Sequence, residues 1–171
     1  HQVVARSAEE LRRKYAEERD KRIRPEGADQ YIKPTGQWES LFEDPYSEIV
    51  ERDPIARDVD VVVVGAGFAG MYLVHRMRRS GRRVLCVEAG TDVGGTWYWN
   101  RYPGARFDSE SYSYGYFFSQ EILDEWNWDE FFAGQAETER YLNFVTEKLD
   151  LRRDMRFNFR VASIVLDESG Y

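Results

Sequence analysis

The sequence predicts an α/β fold, a doubly wound parallel sheet, and three observations predict it. The β-branched run "VDVVVV", residues 59–64, reads as a strand buried on both faces. It runs directly into the glycine turn "GAGFAG", residues 65–70, and then into a segment with Met71, Val74 and Met77 at helical spacing. A second apolar strand follows, "RVLCVEAG", with a carboxylate, Glu88, at its tip. Strand, glycine turn, helix and strand in this order form the first unit of a Rossmann-like sheet.

The segment before that unit has a different character. "RSAEELRRKYAEERDKRIRPEG", residues 6–27, is predicted to be a polar helix that begins at Ser7, with Ser7 and Glu10 as a capping box. Glu9/Arg13, Glu10/Lys14, Glu17/Lys21 and Glu18/Arg22 are spaced as i,i+4 pairs, and Pro25 and Gly27 stop the helix. Residues 28–57 show no sustained period and read as an extended arm anchored by Tyr31, Trp38, Phe42 and Tyr46. The change of composition after Asp53-Pro54 divides the chain into an arm, residues 1–57, and the Rossmann-like domain, residues 58–171. Gly81 ends the helix after the glycine turn. Farther on, Tyr112, Tyr114 and Tyr116 alternate as in a strand, and "ETERYLNFVTEKLDL" places Tyr141, Phe144, Val145 and Leu149 on one helix face. "MRFNFRV" and "ASIVLDE" read as a third and a fourth strand, followed by a turn at Ser169-Gly170. A strand entering a hairpin without its partner leaves an open edge, so the domain is expected to be incomplete, the N-terminal part of a longer polypeptide.

Composition excludes several functions. With 24 Lys plus Arg against 31 Asp plus Glu, the net charge of −7 gives a nucleic acid backbone no electrostatic support. Cys86 is the single cysteine and lies in an apolar run, so no internal disulfide forms and the expected role is that of a small buried thiol. Two histidines far apart in sequence, His1 and His75, provide no metal site. No apolar stretch approaches the ~20 residues that span a bilayer, and the N-terminus lacks the pattern of a secretory signal, so the expected location is cytoplasmic, away from membranes.

The glycines have separate tasks. Gly65 permits the tight turn, Gly67 allows the backbone to approach a pyrophosphate, and Gly70 allows the helix to pack closely on the strand. The helix start, with Phe68 and Ala69, presents N–H groups and a positive dipole end to phosphates. Glu88, 18 positions after Gly70, is placed to accept hydrogen bonds from ribose hydroxyls and would repel a 2′-phosphate. The nucleotide expected at this site is therefore FAD or NAD. Beyond it, "GGTWYWNRYPGARFD", residues 94–108, offers another close backbone approach at Gly94 and Gly95, a hydroxyl at Thr96 and a flat apolar wall at Trp97, with Tyr98 and Trp99 following: fittings for a flavin ring.

This stretch resembles the Baeyer–Villiger monooxygenases. Their signature [A/G]-G-x-W-x-x-x-x-[F/Y]-P-[G/M]-x-x-x-D is met by Gly94, Gly95, Trp97, Tyr102, Pro103, Gly104 and Asp108. "EWNW", the "ERYLNFV" helix and the arm "KRIRPEG...QYI...DPY" are also similar to this family, the arm to a branch with an N-terminal extension that acts on bulky or cyclic ketones. The resemblance implies an FAD-, NADPH- and O2-dependent enzyme that converts ketones to esters or lactones through a flavin peroxide. In that reading Asp108 is catalytic, holding an arginine that stabilises developing negative charge. Arg106, Phe107 and Asp108 reach toward the nicotinamide cofactor, Tyr114 meets the flavin, and Val161 offers backbone to adenine. Phe107 departs from the family, which often carries Cys there. The second signature, F-x-G-x-x-x-H-x-x-x-W, is absent, and the NADPH site and the arginine would lie beyond residue 171, so this segment alone is not expected to be active. The remaining partners are a ketone, O2 and the rest of the same enzyme. Alternative readings are a heteroatom-oxidising or N-hydroxylating flavin monooxygenase, against which the aspartate-terminated signature argues, and a non-catalytic FAD-binding fragment.

Overall fold

The computed structural model describes residues 7–32, 35–46, 48 and 51–167. Contacts divide the chain into two compact units, His1–Glu43 and Asp44–Tyr171. The first carries helix α1, Ala8–Asp20, whose start is the expected capping box: Ser7 Oγ accepts from the Glu10 N–H at 3.2 Å and Glu10 accepts from the Ser7 N–H at 2.8 Å. The helix ends at Asp20, before Pro25 is reached. Its ion pairs differ from the expected set, with Arg13–Glu17 and Lys21–Glu18 formed instead; all are exposed, where many geometries are nearly equal in energy. Gly36–Phe42 is a 3-10 helix, not extended chain, and Tyr31 and Trp38 are exposed instead of serving as anchors.

The second unit contains the predicted strand–turn–helix–strand. Strand β1, Val61–Val64, pairs in parallel with β2, Val84–Val87, with Val61 opposite Val84 and Val64 opposite Val87. Helix α2, Phe68–Arg79, connects them and buries Gly70, Met71, Val74 and His75. Three short helices follow: α3 at Thr96–Trp99, α4 at Ser111–Tyr114 and α5 at Gln120–Glu125. Helix α6, Gln135–Lys148, then buries Tyr141, Leu142, Val145 and Thr146 in the same core. Strand β3, Met155–Arg156, pairs with β2 at Cys86 and Val87 and completes the parallel order β1-β2-β3. Arg78 of α2 ties the layers together: it donates to the Leu149 and Asp150 carbonyls at the end of α6 and pairs with Asp154 at 3.0 Å. Among the described residues, no helix is long and apolar enough to cross a membrane.

Four expectations change. Strand β1 is not buried on both faces: Val62 and Val64 remain 57% and 58% exposed, because α2 covers only the other face. The third strand is two residues long, since its pairing with β2 ends at Arg156. Residues 162–167, expected as a fourth strand, have no regular structure, and Ile164, Val165 and Leu166 are exposed without a neighbouring strand to pair with. The Ser169-Gly170 turn lies outside the described residues. Finally, Tyr112–Tyr116 is not a strand. Ser113 donates its hydroxyl to the Glu110 carbonyl, three residues back, at 2.8 Å, and this local pairing favours a helical turn, while the Ser111 hydroxyl donates at 2.7 Å to the Glu130 carbonyl, 19 positions on.

Candidate nucleotide site

At the end of β1 the chain turns through Gly65, which has φ of +95°, a left-handed conformation that suits glycine. Its N–H donates to the Val87 carbonyl at 2.8 Å, so the turn is fixed to the tip of β2. Gly67 is the N-cap of α2, and no side chain caps that end. The N–H groups of the first turn thus keep their donor capacity toward the space in front of the helix. Gly70 lies so close under the turn that an added Cβ would be 1.8 Å from the Gly65 carbonyl oxygen. Helix and turn can approach this closely only with glycine at that position.

Glu88 is buried at the tip of β2. Its Oε2 accepts from the Ala66 N–H at 2.6 Å and its Oε1 from the Gly90 N–H at 2.8 Å. Two backbone donors lock the carboxylate in one orientation, and each oxygen keeps a further lone pair for an incoming hydroxyl. Two residues earlier, Cys86 is buried as expected; desolvation, with the Glu88 charge second, pushes its thiol up to about 12.

The second glycine pair docks on the first turn. Gly94 donates to the Ala66 carbonyl at 3.0 Å, and Gly95, with φ of +55°, brings its backbone against that of Gly67, where its own Cβ would be 2.9 Å from Gly67 Cα. These turns enclose a cleft of about 450 Å³. Val64, Gly65 and Gly67 line the floor, Val87, Glu88 and Ala89 one side, Gly95, Thr96 and Trp99 one rim, and Phe159, Arg160 and Val161 another. The volume lies in the range of small-ligand pockets. A glycine floor without side chains, an uncapped helix start and a fixed carboxylate fit the pyrophosphate and ribose of a dinucleotide.

Of the residues singled out in the sequence, Gly65, Gly67, Glu88, Gly95, Thr96, Trp99 and Val161 meet at this cleft. The others lie apart from its lining. Trp97 is buried, donates from Nε1 to the Tyr114 hydroxyl at 3.1 Å and stands edge-on to Phe107, which stacks on Tyr114 at 4.1 Å. Phe68 packs edge-on to Tyr114 at 5.2 Å, and Ala69 is exposed. Tyr98 is buried, with its hydroxyl donating to Asp44 at 2.7 Å and meeting Thr91 Oγ1 at 2.8 Å. Arg106 pairs with Glu130 at 2.9 Å and donates to the Phe132 carbonyl at 2.8 Å. Asp108 is exposed and forms no hydrogen bond or ion pair with the described residues. Sequence reasoning missed Val64, Val87, Ala89, Phe159 and Arg160. The two valines could have been found as the C-terminal ends of parallel strands, where ligands bind; the other three carry no motif.

Residues 63–124 match the family model described as an NAD(P)-binding Rossmann-like domain. A Baeyer-Villiger monooxygenase of Streptomyces coelicolor is 38% identical over 162 residues, which cover 93% of this chain and 26% of that protein. Among solved structures, an oxidized steroid monooxygenase bound to NADP is 58% identical with a TM-score of 0.64, over 66% of this chain and 22% of that one. OTEMO in complex with FAD and NADP is 53% identical with a TM-score of 0.58, over 60% of this chain and 19% of that one. The chain spans about a fifth of the length of the first curated relatives it matches.

Proposed function

The chain belongs by homology to the Baeyer–Villiger monooxygenases, and from this we propose that it supplies the FAD-binding wall of an NADPH- and O2-dependent enzyme, acting in the cytoplasm, that converts ketones to esters or lactones. The observation that carries the reading is the convergence of Gly65, Gly67, Glu88 and Gly95 on one cleft, within a sequence that carries the complete GGxW…YPGxxxD signature. Bound FAD supplies the redox chemistry and the activation of oxygen. The residues of this chain hold and orient it. The start of α2 donates N–H groups to the pyrophosphate, Glu88 accepts from the adenosine ribose, Val161 borders the adenine, and Thr96 and Trp99 form the wall on the far side.

Asp108 has a separate part. An exposed carboxylate at the end of the signature, with no cation paired to it among the described residues, is available to anchor a guanidinium from elsewhere in the enzyme. So anchored, that cation stabilises the oxygen anion that develops when the ketone carbonyl is attacked. Trp97, Phe107 and Tyr114 support this stretch from behind as a packed aromatic cluster.

The test is made on the full-length protein. It should purify with FAD and form lactone from a cyclic ketone with NADPH. Asp108→Ala should retain the flavin while lactone formation falls by about 10²–10³. A flavin-free protein refutes the cofactor assignment; lactone formation within about twofold of the parent removes Asp108 from the reaction.

A further inference from the structure

Two rims of the cleft are held by residues that no nucleotide-binding motif includes. Asp44 and Tyr46 hold the Thr96–Trp99 rim. Asp44 Oδ2 accepts from the Tyr98 hydroxyl at 2.7 Å, while its Oδ1 accepts from the Tyr46 N–H at 2.8 Å. The Tyr46 hydroxyl donates to the Trp99 carbonyl at 3.3 Å, and its ring meets that of Tyr98 edge-on at 6.0 Å. The Arg101 guanidinium covers both rings, 4.3 and 4.8 Å from their centroids. Arg52 holds the other rim. Its guanidinium donates to the Phe157 carbonyl at 3.0 Å and to the Asn158 carbonyl, and lies 3.8 Å from the Phe159 ring centroid.

That second rim needs holding. The backbone has left the sheet after Arg156, and Asn158 takes a left-handed φ of +61°. Two hydrogen bonds tie it to the tip of β2: Asn158 N–H to the Gly90 carbonyl at 2.9 Å, and Phe159 N–H to the Glu88 carbonyl at 2.8 Å. A planar guanidinium that bonds two successive carbonyls and stacks on the next ring fixes three residues at once. Asp44, Tyr46 and Arg52 are also joined to one another through a few peptide bonds, so both rims are attached to one short stretch of chain.

We propose that this stretch sets how tightly the nucleotide is held, with Arg52 as the positioning residue for the Phe157–Val161 rim and Asp44 for the Thr96–Trp99 rim. The proposal rests on the functional reading in taking FAD as the occupant. It also assigns the rims to different parts of the ligand. The Arg52 rim adjoins Glu88, so it senses the adenosine half; the Asp44 rim lies beyond the glycine floor and senses the remainder.

The experiment uses the full-length protein stripped of flavin, with FAD and AMP as separate probes for the parent, Arg52→Met and Asp44→Ala. Arg52→Met should weaken both probes about tenfold. Asp44→Ala should weaken FAD by a similar factor and leave AMP within about twofold. The visible circular dichroism of bound flavin should change in Asp44→Ala, whose rim carries Trp99. Melting of the stripped proteins separates positioning from damage to the fold: affinity losses that follow a large fall in Tm overturn the proposal. FAD and AMP affinities within twofold of the parent in both variants overturn it as well. A parent that binds AMP and not FAD overturns the functional reading alone, and the AMP comparison then decides on Arg52. A parent that binds neither overturns both.

Discussion

Replacing Gly70 and Gly67 by alanine, one at a time, separates folding from nucleotide binding within a single turn. At Gly70 the new methyl carbon would lie 1.8 Å from the Gly65 carbonyl oxygen, 3.0 Å from its carbon and 3.4 Å from Val63 Cγ1. Opening the first gap from 1.8 Å to the 3.0 Å at which real contacts begin moves the helix start by about 1.2 Å. The obstacle cannot rotate away, because it is backbone whose own N–H is bonded to β2. Overpacking of this kind costs about 1–3 kcal/mol, and a clash with backbone belongs at the upper end. Gly67→Ala meets only the Gly95 backbone, Cα at 3.4 Å and N at 3.8 Å, and its φ of −81° suits any residue. Its methyl group stands on the cleft floor, where a phosphate would approach. In flavin-free protein, denaturant unfolding should show Gly70→Ala about 3 kcal/mol less stable and Gly67→Ala within about 0.5 kcal/mol of the parent. FAD titration should show Gly67→Ala at least about tenfold weaker. Parental stability in Gly70→Ala contradicts the close approach, and parental FAD affinity in Gly67→Ala removes the pyrophosphate from this turn.

Two further perturbations test the scaffold. Arg78→Met leaves the carbonyls at the end of α6 without their donor and Asp154 without its partner, in a half-buried position; a loss of about 2 kcal/mol is expected in denaturant unfolding, and an unchanged midpoint would show that the bridge contributes nothing. His75 is buried and stacked on Phe118 at 4.7 Å, and burial, followed by Arg79, Arg78 and Arg76, lowers its pKa below the unfolded value of about 6.5. Below that pH the unfolded chain takes up a proton that the native stack resists, so stability present at neutral pH declines as pH falls toward the folded pKa. His75→Phe should flatten this part of the pH–stability curve; an identical slope in parent and variant would contradict it.

The parts of the site that were legible in the sequence are those fixed by local chemistry. The order of strand, GAGFAG, helix and strand with Glu88 at its tip is a short-range pattern, and each glycine has a steric reason readable from position. The ring assignments were not legible in the same way. Trp97 and Trp99 lie two residues apart in one helical turn, so the phase of α3 decides which ring reaches the cleft, and that phase follows from Gly95 docking on Gly67. The alternation of Tyr112, Tyr114 and Tyr116 matched a strand because all three are aromatic, while Ser113 between the first two, bonded back to Glu110, carried the opposing signal. Residues 157–167 have strand-like composition, but a strand exists only with a neighbour to pair with, and no local pattern states where β2 stops pairing. Arg52 is missed for a similar reason: its partners are carbonyl groups, which every residue has, more than 100 positions away.

The contact between Gly67 and Gly95 bears on how such a site would age over generations. Gly70 and Gly95 are held to glycine by the protein's own backbone, the first by the turn above it and the second by Gly67 and by its left-handed φ. Gly67 has room for a methyl group, and only an occupant of the cleft forbids one. A descendant that ceased to bind nucleotide would therefore keep glycine at 65, 70 and 95, because losing any of them costs stability, and would drift first at 67. Among relatives that share this turn, a side chain at that one position is the sign that the cleft has changed its use, even where the rest of the glycine pattern reads as intact.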